Sequence, residues 1–341
     1  MKQSIPSITF LSLLLGCGGT LVNTTPEART QVVLSRDYPS KPMRFIEPFG
    51  AGGGPDLLAR ALAHELSEMW HQPVTVENIA GGGATAGPAR VAALPADGYT
   101  LFVNTSAQAY SAALVKNLPY DPLKDFIPIA ALTSQPYVLV ASKTAGVKSI
   151  GELIAAAKAK PGELKFGSSG TGTGTHLGAE EFNRAAGIKA VHVPAGPTEA
   201  IADGIANLVA GHVVYRLAPI SLVLPHIRDG QLIALGVTTA RRSALLPEVP
   251  TISEAGVAGF AFPIWYGIWV RAGTPAGVVD NLVKDIGRAL AGRDMRDWIA
   301  KHGGEPMHLT QPEFARFVLS ESERAVQIVK AAEIKPQSPT V

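Results

Sequence analysis

The chain has 341 residues, 46% of them apolar and 6% aromatic, and carries a formal net charge of +2. That length allows two ordinary domains with a large buried core, and the composition is that of a globular protein. A near-neutral balance, with Arg241 and Arg242 only an isolated pair, argues against nucleic acid or an anionic membrane surface as partner.

The N-terminus reads as a targeting segment and not as fold. Lys2 precedes an apolar run over residues 5–15, too short to span a bilayer as a helix, and Gly16 and Cys17 follow. This pattern resembles a secretory signal and predicts a mature, periplasmic body beginning near Tyr38. Two accounts of Cys17 stay open: LLGC resembles a lipoprotein signal in which the cysteine becomes the lipidated first residue, or the signal is an ordinary cleaved one with a chance cysteine. Residues 23–35 are polar and patternless and suit a tether. Cys17 is the one cysteine, so the mature body has no disulfide or thiol chemistry.

The body opens on residues 44–63, RFIEPFGAGGGPDLLARALA. A strand-like run breaks into glycines, and Pro55 suits the first helical position, where no amide hydrogen is needed. Leu58, Leu62, Leu66 and Met69 recur at helical spacing, so one face packs inward while the first-turn amides stay unpaired. Those amides and the positive end of the helix dipole attract carboxylate or phosphate. Further on come a strand over residues 74–77, a glycine turn over 81–87, a short helix, a strand over 100–104 and a fully apolar strand, YVLVA, over 137–141. Such alternation predicts a largely parallel sheet with helices on both faces. Ser149 and Glu152 form a capping box that opens a helix to about Lys160.

Residues 165–182, KFGSSGTGTGTHLGAEEF, repeat the strand, glycine loop and helix. Two such loops on separate lobes could grip one small anion, although either alone is adequately explained as a turn and cap. A strand over 190–193, a helix from Thr198, a strand near Val213, a helix from Ser221 and a strand over 233–238 supply a second sheet. PIWYGIWVRAGTP, residues 263–275, reads as an apolar strand and a helix capped by Thr274 with Pro275 at its first position. Thr310 and Glu313 box the start of a last helix ending near Ala332. Crossings near Tyr137 and Trp265 would join two lobes by two strands and leave a ligand cleft between them.

PFGAGGGPD, VENIAGGGATAG, PADGYTL, LPYDPLKDF, FGSSGTGTGTHLGAE, VHVPAG, LPHIRDGQLIALGVTTARRSALLPEVPTISEAG and RAGTPAGVVDNL, in this order, closely resemble the substrate-binding proteins of tripartite tricarboxylate transporters, the Bug proteins. The resemblance runs from about Tyr38 to Ala332. It implies a type II periplasmic binding protein: two α/β lobes, a double-strand hinge, and closure on a small carboxylate passed to membrane permease subunits. The lobes it implies are 38–140 with 264–341, and 141–263, after a 1–37 signal and tether. It further implies that backbone amides, hydroxyls and waters hold the carboxylate. Carried over by position, the first-lobe contacts are Phe49, Ala51, Gly52, Gly53, Asp56, Thr105, Ser106 and Gln108. Those of the second lobe are Ser168, Gly170, Thr171, Thr173, Thr175 and His176. Asp56 serves equally as a local cap, and His176 as a structural residue.

Departures concentrate in the second lobe. After HVP the family usually has tyrosine and a basic or polar residue, where this chain has Ala195 and Gly196; the segment from Glu199 to Gly211 is longer by about one helical turn. Val214 stands where aspartate is usual, which disfavours a ligand bearing an amino group, and Arg216 and Leu217 replace an apolar or aromatic pair. Arg216 either faces the cleft and pairs a second anionic group of the ligand, or reaches solvent or a surface glutamate.

An enzyme is disfavoured. The glycine spacings fit a dinucleotide fingerprint only loosely, at Gly81, Gly83 and Ala86; there is no P-loop, no G-x-S-x-G elbow, and no zinc-protease motif around His64. No histidine pair is spaced as metal ligands, and no cofactor is implied. A sensor role, presenting the bound carboxylate to a sensor kinase, would look the same in sequence. Trp265 and Tyr266 read as core before they read as a wall of the site.

Overall fold

The structure is a computed structural model, and it describes residues 38–81, 84–194 and 201–336. Cys17, the signal and tether, Gly82 and Gly83, Ala195 and Gly196, and the helix start at Thr198 lie outside the described residues.

The first stretch runs β1 (Met43–Glu47), α1 (Gly54–Trp70), β2 (Val74–Asn78), α2 (Ala86–Ala92), β3 (Thr100–Thr105), α3 (Ala107–Leu114) and β4 (Phe126–Gln135). The middle stretch runs β5 (Tyr137–Ser142), α4 (Ile150–Ala159), β6 (Lys165–Ser168), α5 (Gly174–Ala186), β7 (Val191–Pro194), α6 (Ile201–Val209), β8 (Tyr215–Pro219), α7 (Ile220–Arg228) and β9 (Leu232–Val237). The chain then returns through β10 (Ile264–Arg271), α8 (Ala276–Ala291), α9 (Arg293–Lys301), β11 (Glu305–Pro306) and α10 (Gln311–Ala331).

Two sheets result, ordered β11-β4-β10-β3-β1-β2 and β7-β6-β8-β5-β9. Both are mixed, not largely parallel. β1 pairs in parallel with β2 and β3, and β6 with β7 and β8, as βαβ crossovers require. The strands next to the crossings break the pattern: β10 is antiparallel to β3 and β4, and β5 to β8 and β9. Each enters its sheet from the other one, so it runs against the strands already there.

The chain changes sheets at Pro136 and again at Pro263. The boundary expected at residue 140 therefore falls inside β5, whose first residue, Tyr137, already pairs with Pro219. Thr238 ties the two crossings together. Its N–H donates to the Tyr137 carbonyl at 2.9 Å, its Oγ1 accepts from the Tyr137 N–H at 2.9 Å, and its carbonyl accepts from Phe262 N–H at 2.8 Å.

Alternation along β5 separates two apolar clusters. Leu139 and Ala141 face the main core, which continues through Phe166, Phe182, Tyr215 and Phe262 into the first sheet; Val138 and Val140 face a smaller cluster with Ile205, Leu208, Ala218 and Val223 beneath α6 and α7. Trp265 and Trp269 are core residues. Trp265 Nε1 donates to Glu321 Oε2 at 3.0 Å, and Trp269 stacks on Phe102 with centroids 5.2 Å apart. Truncating either would cost about 3–5 kcal/mol.

Two caps differ in detail from the expected form. Ser149 Oγ accepts from Glu152 N–H at 3.1 Å, but the Glu152 carboxylate accepts from Lys148 N–H, not from Ser149. Helix α8 begins after Pro275, and the Thr274 hydroxyl donates back to the Arg271 carbonyl at 2.8 Å.

Candidate functional site

Both sheets turn the carboxyl ends of their parallel strands toward the crossings, the edge at which open α/β sheets bind ligands. At that edge β1 runs through residues 48–53 into α1, and β6 through residues 169–173 into α5.

The first loop is held from behind by acids. Asp56 is buried, and its Oδ2 accepts from Gly52 N–H at 2.9 Å and Arg60 Nε at 3.1 Å, while Oδ1 accepts from Asn78 Nδ2 and faces Arg60 Nη2, each at 2.9 Å. Burial works to raise its pKa, but the hydrogen bonds from Arg60, Gly52 and Asn78 outweigh it and hold the carboxyl below its ordinary range. Both oxygens are committed inside the lobe, as the capping account of Asp56 anticipates. Glu47 is fully buried beneath the same loop. Its Oε2 accepts from Phe49 N–H at 3.0 Å and Asn78 Nδ2 at 2.8 Å, while Oε1 has no partner among the described residues. Burial pushes its carboxyl up to about 7. Gly52 takes a left-handed φ of 83°, which lets its amide turn back to Asp56. The N–H groups of Gly53, Gly54 and Asp56 are left without an acceptor among the described residues.

Of the remaining first-lobe candidates, Thr105 Oγ1 accepts from Ala107 N–H at 3.1 Å. Gln108 is buried: its Oε1 accepts from Asn104 Nδ2 at 3.2 Å and its Nε2 donates to the Pro122 carbonyl at 3.0 Å. Both fix the turn into α3. Ser106 faces the second lobe, and Phe49 and Ala51 sit on the loop itself.

The second loop is held by neutral groups. Ser168 Oγ is hydrogen-bonded to His192 Nε2 at 2.7 Å and accepts from Gly170 N–H at 3.1 Å. Thr175 Oγ1 accepts from Ser169 N–H at 2.9 Å and lies 2.9 Å from Thr173 Oγ1, which donates to the Gly170 carbonyl. Gly172 N–H donates to His176 Nδ1 at 3.1 Å, which places the ring proton of neutral His176 on Nε2, 3.7 Å from Glu180 Oε1. The His176 and His192 rings stack with centroids 3.7 Å apart. Burial, and then His176, push the His192 imidazole down to about 3. The Thr171 hydroxyl is uncommitted, and the Gly174 and Thr175 N–H groups have no acceptor among the described residues.

The start of α5 meets the crossing and the start of α3 at Gly174. A Cβ there would lie 2.6 Å from the Tyr137 phenol oxygen and 3.6 Å from Ser106 Oγ. Only glycine brings the start of α5 this close to the crossing and to α3. On the other side Gly54 approaches the Tyr266 hydroxyl, which donates to Gln135 Oε1 at 3.3 Å. Tyr266 thus touches the start of α1, whereas Trp265 is turned into the core.

Arg216 does not reach solvent or a surface glutamate. It is 1% exposed, its Nη2 donates to Ser169 Oγ at 3.2 Å, and its Nε has no partner among the described residues. Burial lowers its pKa to about 10.

The family model "Tripartite tricarboxylate transporter family receptor" matches residues 58–334. The chain belongs to this family. Protein BugT of Bordetella pertussis is 33% identical over 298 residues, which cover 86% of this chain and 90% of BugT. Rpa4515 of R. palustris, solved with adipate, superposes with a TM-score of 0.80 at 31% identity, covering 88% of this chain and all of that one. MatC of Rhodopseudomonas palustris, solved with bound malate, gives 0.75 at 30% identity, covering 86% of this chain and all of its own. Family members are periplasmic solute-binding proteins of two lobes, and the two sheets are those lobes.

Glu47, Asn78, His192 and Tyr137 escaped the sequence reading of the site, which takes Tyr266 as core first. A signal existed for two of them: Glu47 is an acid ending an otherwise apolar strand, and His192 alternates with valines in VHVP.

Proposed function

We propose that this protein, exported to the periplasm, captures a small organic carboxylate and delivers it to the permease subunits of a tripartite tricarboxylate transporter. One observation carries the reading: two helix N-termini, one from each sheet, each lie against a tyrosine at a crossing, Gly54 by the Tyr266 hydroxyl and Gly174 by that of Tyr137, with their leading amides unpaired among the described residues. Such amides, with the helix dipoles behind them, bind a carboxylate without any protein cation. The amides of Gly53, Gly54, Gly174 and Thr175, with the hydroxyls of Ser106 and Thr171, are the groups we assign to it. Asp56, Gln108, Ser168, Thr173 and His176 act one step back by holding the loops in shape. The ligand-bound relatives, with adipate and malate, support the ligand class. In this reading the carboxylate is released unchanged. The periplasmic location of family members, on the side from which a permease imports, supports this reading.

Thermal shift of the purified protein against mono-, di- and tricarboxylates tests the reading, because a ligand that binds only the folded state raises Tm. At least one acid should raise Tm in proportion to the logarithm of its concentration and be recovered unaltered. A folded protein that no acid shifts, or turnover of a bound acid, overturns it.

A further inference from the structure

Arg216 is held as binding groups are held, not as stabilising ones are. Its partner across the sheet is Val140, and that face belongs to an apolar cluster of Val138, Val140, Ile205, Leu208 and Ala218. A guanidinium there loses its hydration, and the structure returns one hydrogen bond, from Nη2 to Ser169 Oγ. Among the described residues no carboxylate pairs with it, and Nε is buried without an acceptor. A buried cation with no carboxylate partner among the described residues is suited to take an anion from a ligand.

Its position says where that anion comes from. Arg216, the second residue of β8, lies opposite Gly167, which is one residue short of the end of β6, and its side chain reaches past the β6 end to Ser169 on the second glycine loop. Helix α6 makes room for it. A Cβ on Gly204 would stand 2.5 Å from Nη1. The guanidinium thus lies between α6 and the second glycine loop, in contact with the loop whose amides are assigned to the carboxylate.

We propose that Arg216 and Ser169 form a second anion subsite, which takes a further carboxylate of the ligand in a direct ion pair and makes the protein selective for dianionic over monoanionic acids. The inference rests on the carboxylate reading of the paired loops and adds a charge requirement to it. A planar guanidinium matches a carboxylate in two parallel hydrogen bonds, and a neutral isostere at that end of the ligand would leave the cation bare.

The test compares α,ω-dicarboxylates from succinate to pimelate with their half-amides by calorimetry, in wild type, Arg216→Met, Arg216→Lys and Gly204→Ala. In wild type at least one diacid should bind roughly 100-fold tighter than its half-amide. Arg216→Met should bring that ratio to about 1 by weakening the diacid alone. It should also leave Tm of the ligand-free protein unchanged or higher, because replacing an unpaired buried charge by an apolar side chain relieves desolvation. Gly204→Ala keeps the charge but displaces the guanidinium and should lower the ratio too, with Arg216→Lys in between. A ratio that Arg216→Met leaves unchanged overturns the proposal. So does a large fall in ligand-free Tm for Arg216→Met, which would mean that a carboxylate of this chain is the partner. If wild type binds neither diacid nor half-amide, the carboxylate reading itself fails; if it binds both equally, only the second subsite does.

Discussion

The two glycine loops solve one problem by opposite chemistry. Each must keep its leading amides unpaired and still hold a fixed shape. The first is pinned by carboxylates, with Asp56 and Glu47 accepting from Gly52, Phe49 and Asn78. The second is pinned by hydroxyls and imidazoles, through Ser168, Thr173, Thr175, His176 and His192. A negative charge behind an anion site works against the ligand, and the first loop limits this by neutralising Asp56 with Arg60 and by burying Glu47 where its proton is retained more readily. The second needs no such compensation, but His192 ties it to pH.

The largest effect that could break this comparison is at Asp56. Asp56→Ala removes the acceptor for Gly52, Arg60 and Asn78 at once and should cost about 2–4 kcal/mol in urea unfolding; a loss within about 0.5 kcal/mol would mean that the first loop is not held this way. Thr175→Val is the counterpart in the second loop. It strips the acceptor from the half-buried Ser169 amide, and about 1–2 kcal/mol is expected together with weaker carboxylate binding.

Acid separates the loops next. His192 is held near 3, against 6.5 for a free imidazole, so the unfolded chain takes up that proton first and stability falls as pH drops from 6.5 toward 3. Asp56, held low, begins to cost stability only as pH falls through the ordinary carboxylate range. Between pH 6.5 and 5 the Gly170 amide, which donates to Ser168 and leans through it on His192, should therefore lose hydrogen-exchange protection before the Gly52 amide, and His192→Phe should remove most of the difference. Equal loss at both amides would refute the distinction. The smallest effect is at Glu47, where the sign reverses. Its carboxyl is raised to about 7 from 4.5, so the folded state keeps a proton that the unfolded chain releases, and stability falls as pH rises through that window. Glu47→Gln should thus gain Tm relative to wild type at pH 8 compared with pH 5, and a constant difference would count against a buried, protonated Glu47.

Sequence carried the fold far because its signals are local. Leu58, Leu62 and Leu66 at helical spacing, the apolar run of β5 and the glycines before α1 and α5 each declare themselves within a few residues. Mixed strand direction was not legible, since it depends on which sheet β5 and β10 enter. The site was legible as loops but not as roles. That Ser168 leans on His192, or that Asp56 and Glu47 share Asn78, follows from contacts across 24, 22 and 31 positions, which no local pattern records. Arg216 is the sharpest case: its departure from the family pattern was visible, while its burial against Gly204 needed the helix to be in place.

Thr238 has a mechanical consequence. Because it stitches the strand leaving the first sheet to the strand coming back, and because each crossing carries a proline whose φ is fixed, the two connections cannot swing independently. They behave as the two leaves of a door on one pin. Coupled connections leave the two sheets fewer relative poses before a solute arrives, so less orientational freedom is lost on binding, and more of each contact survives as affinity.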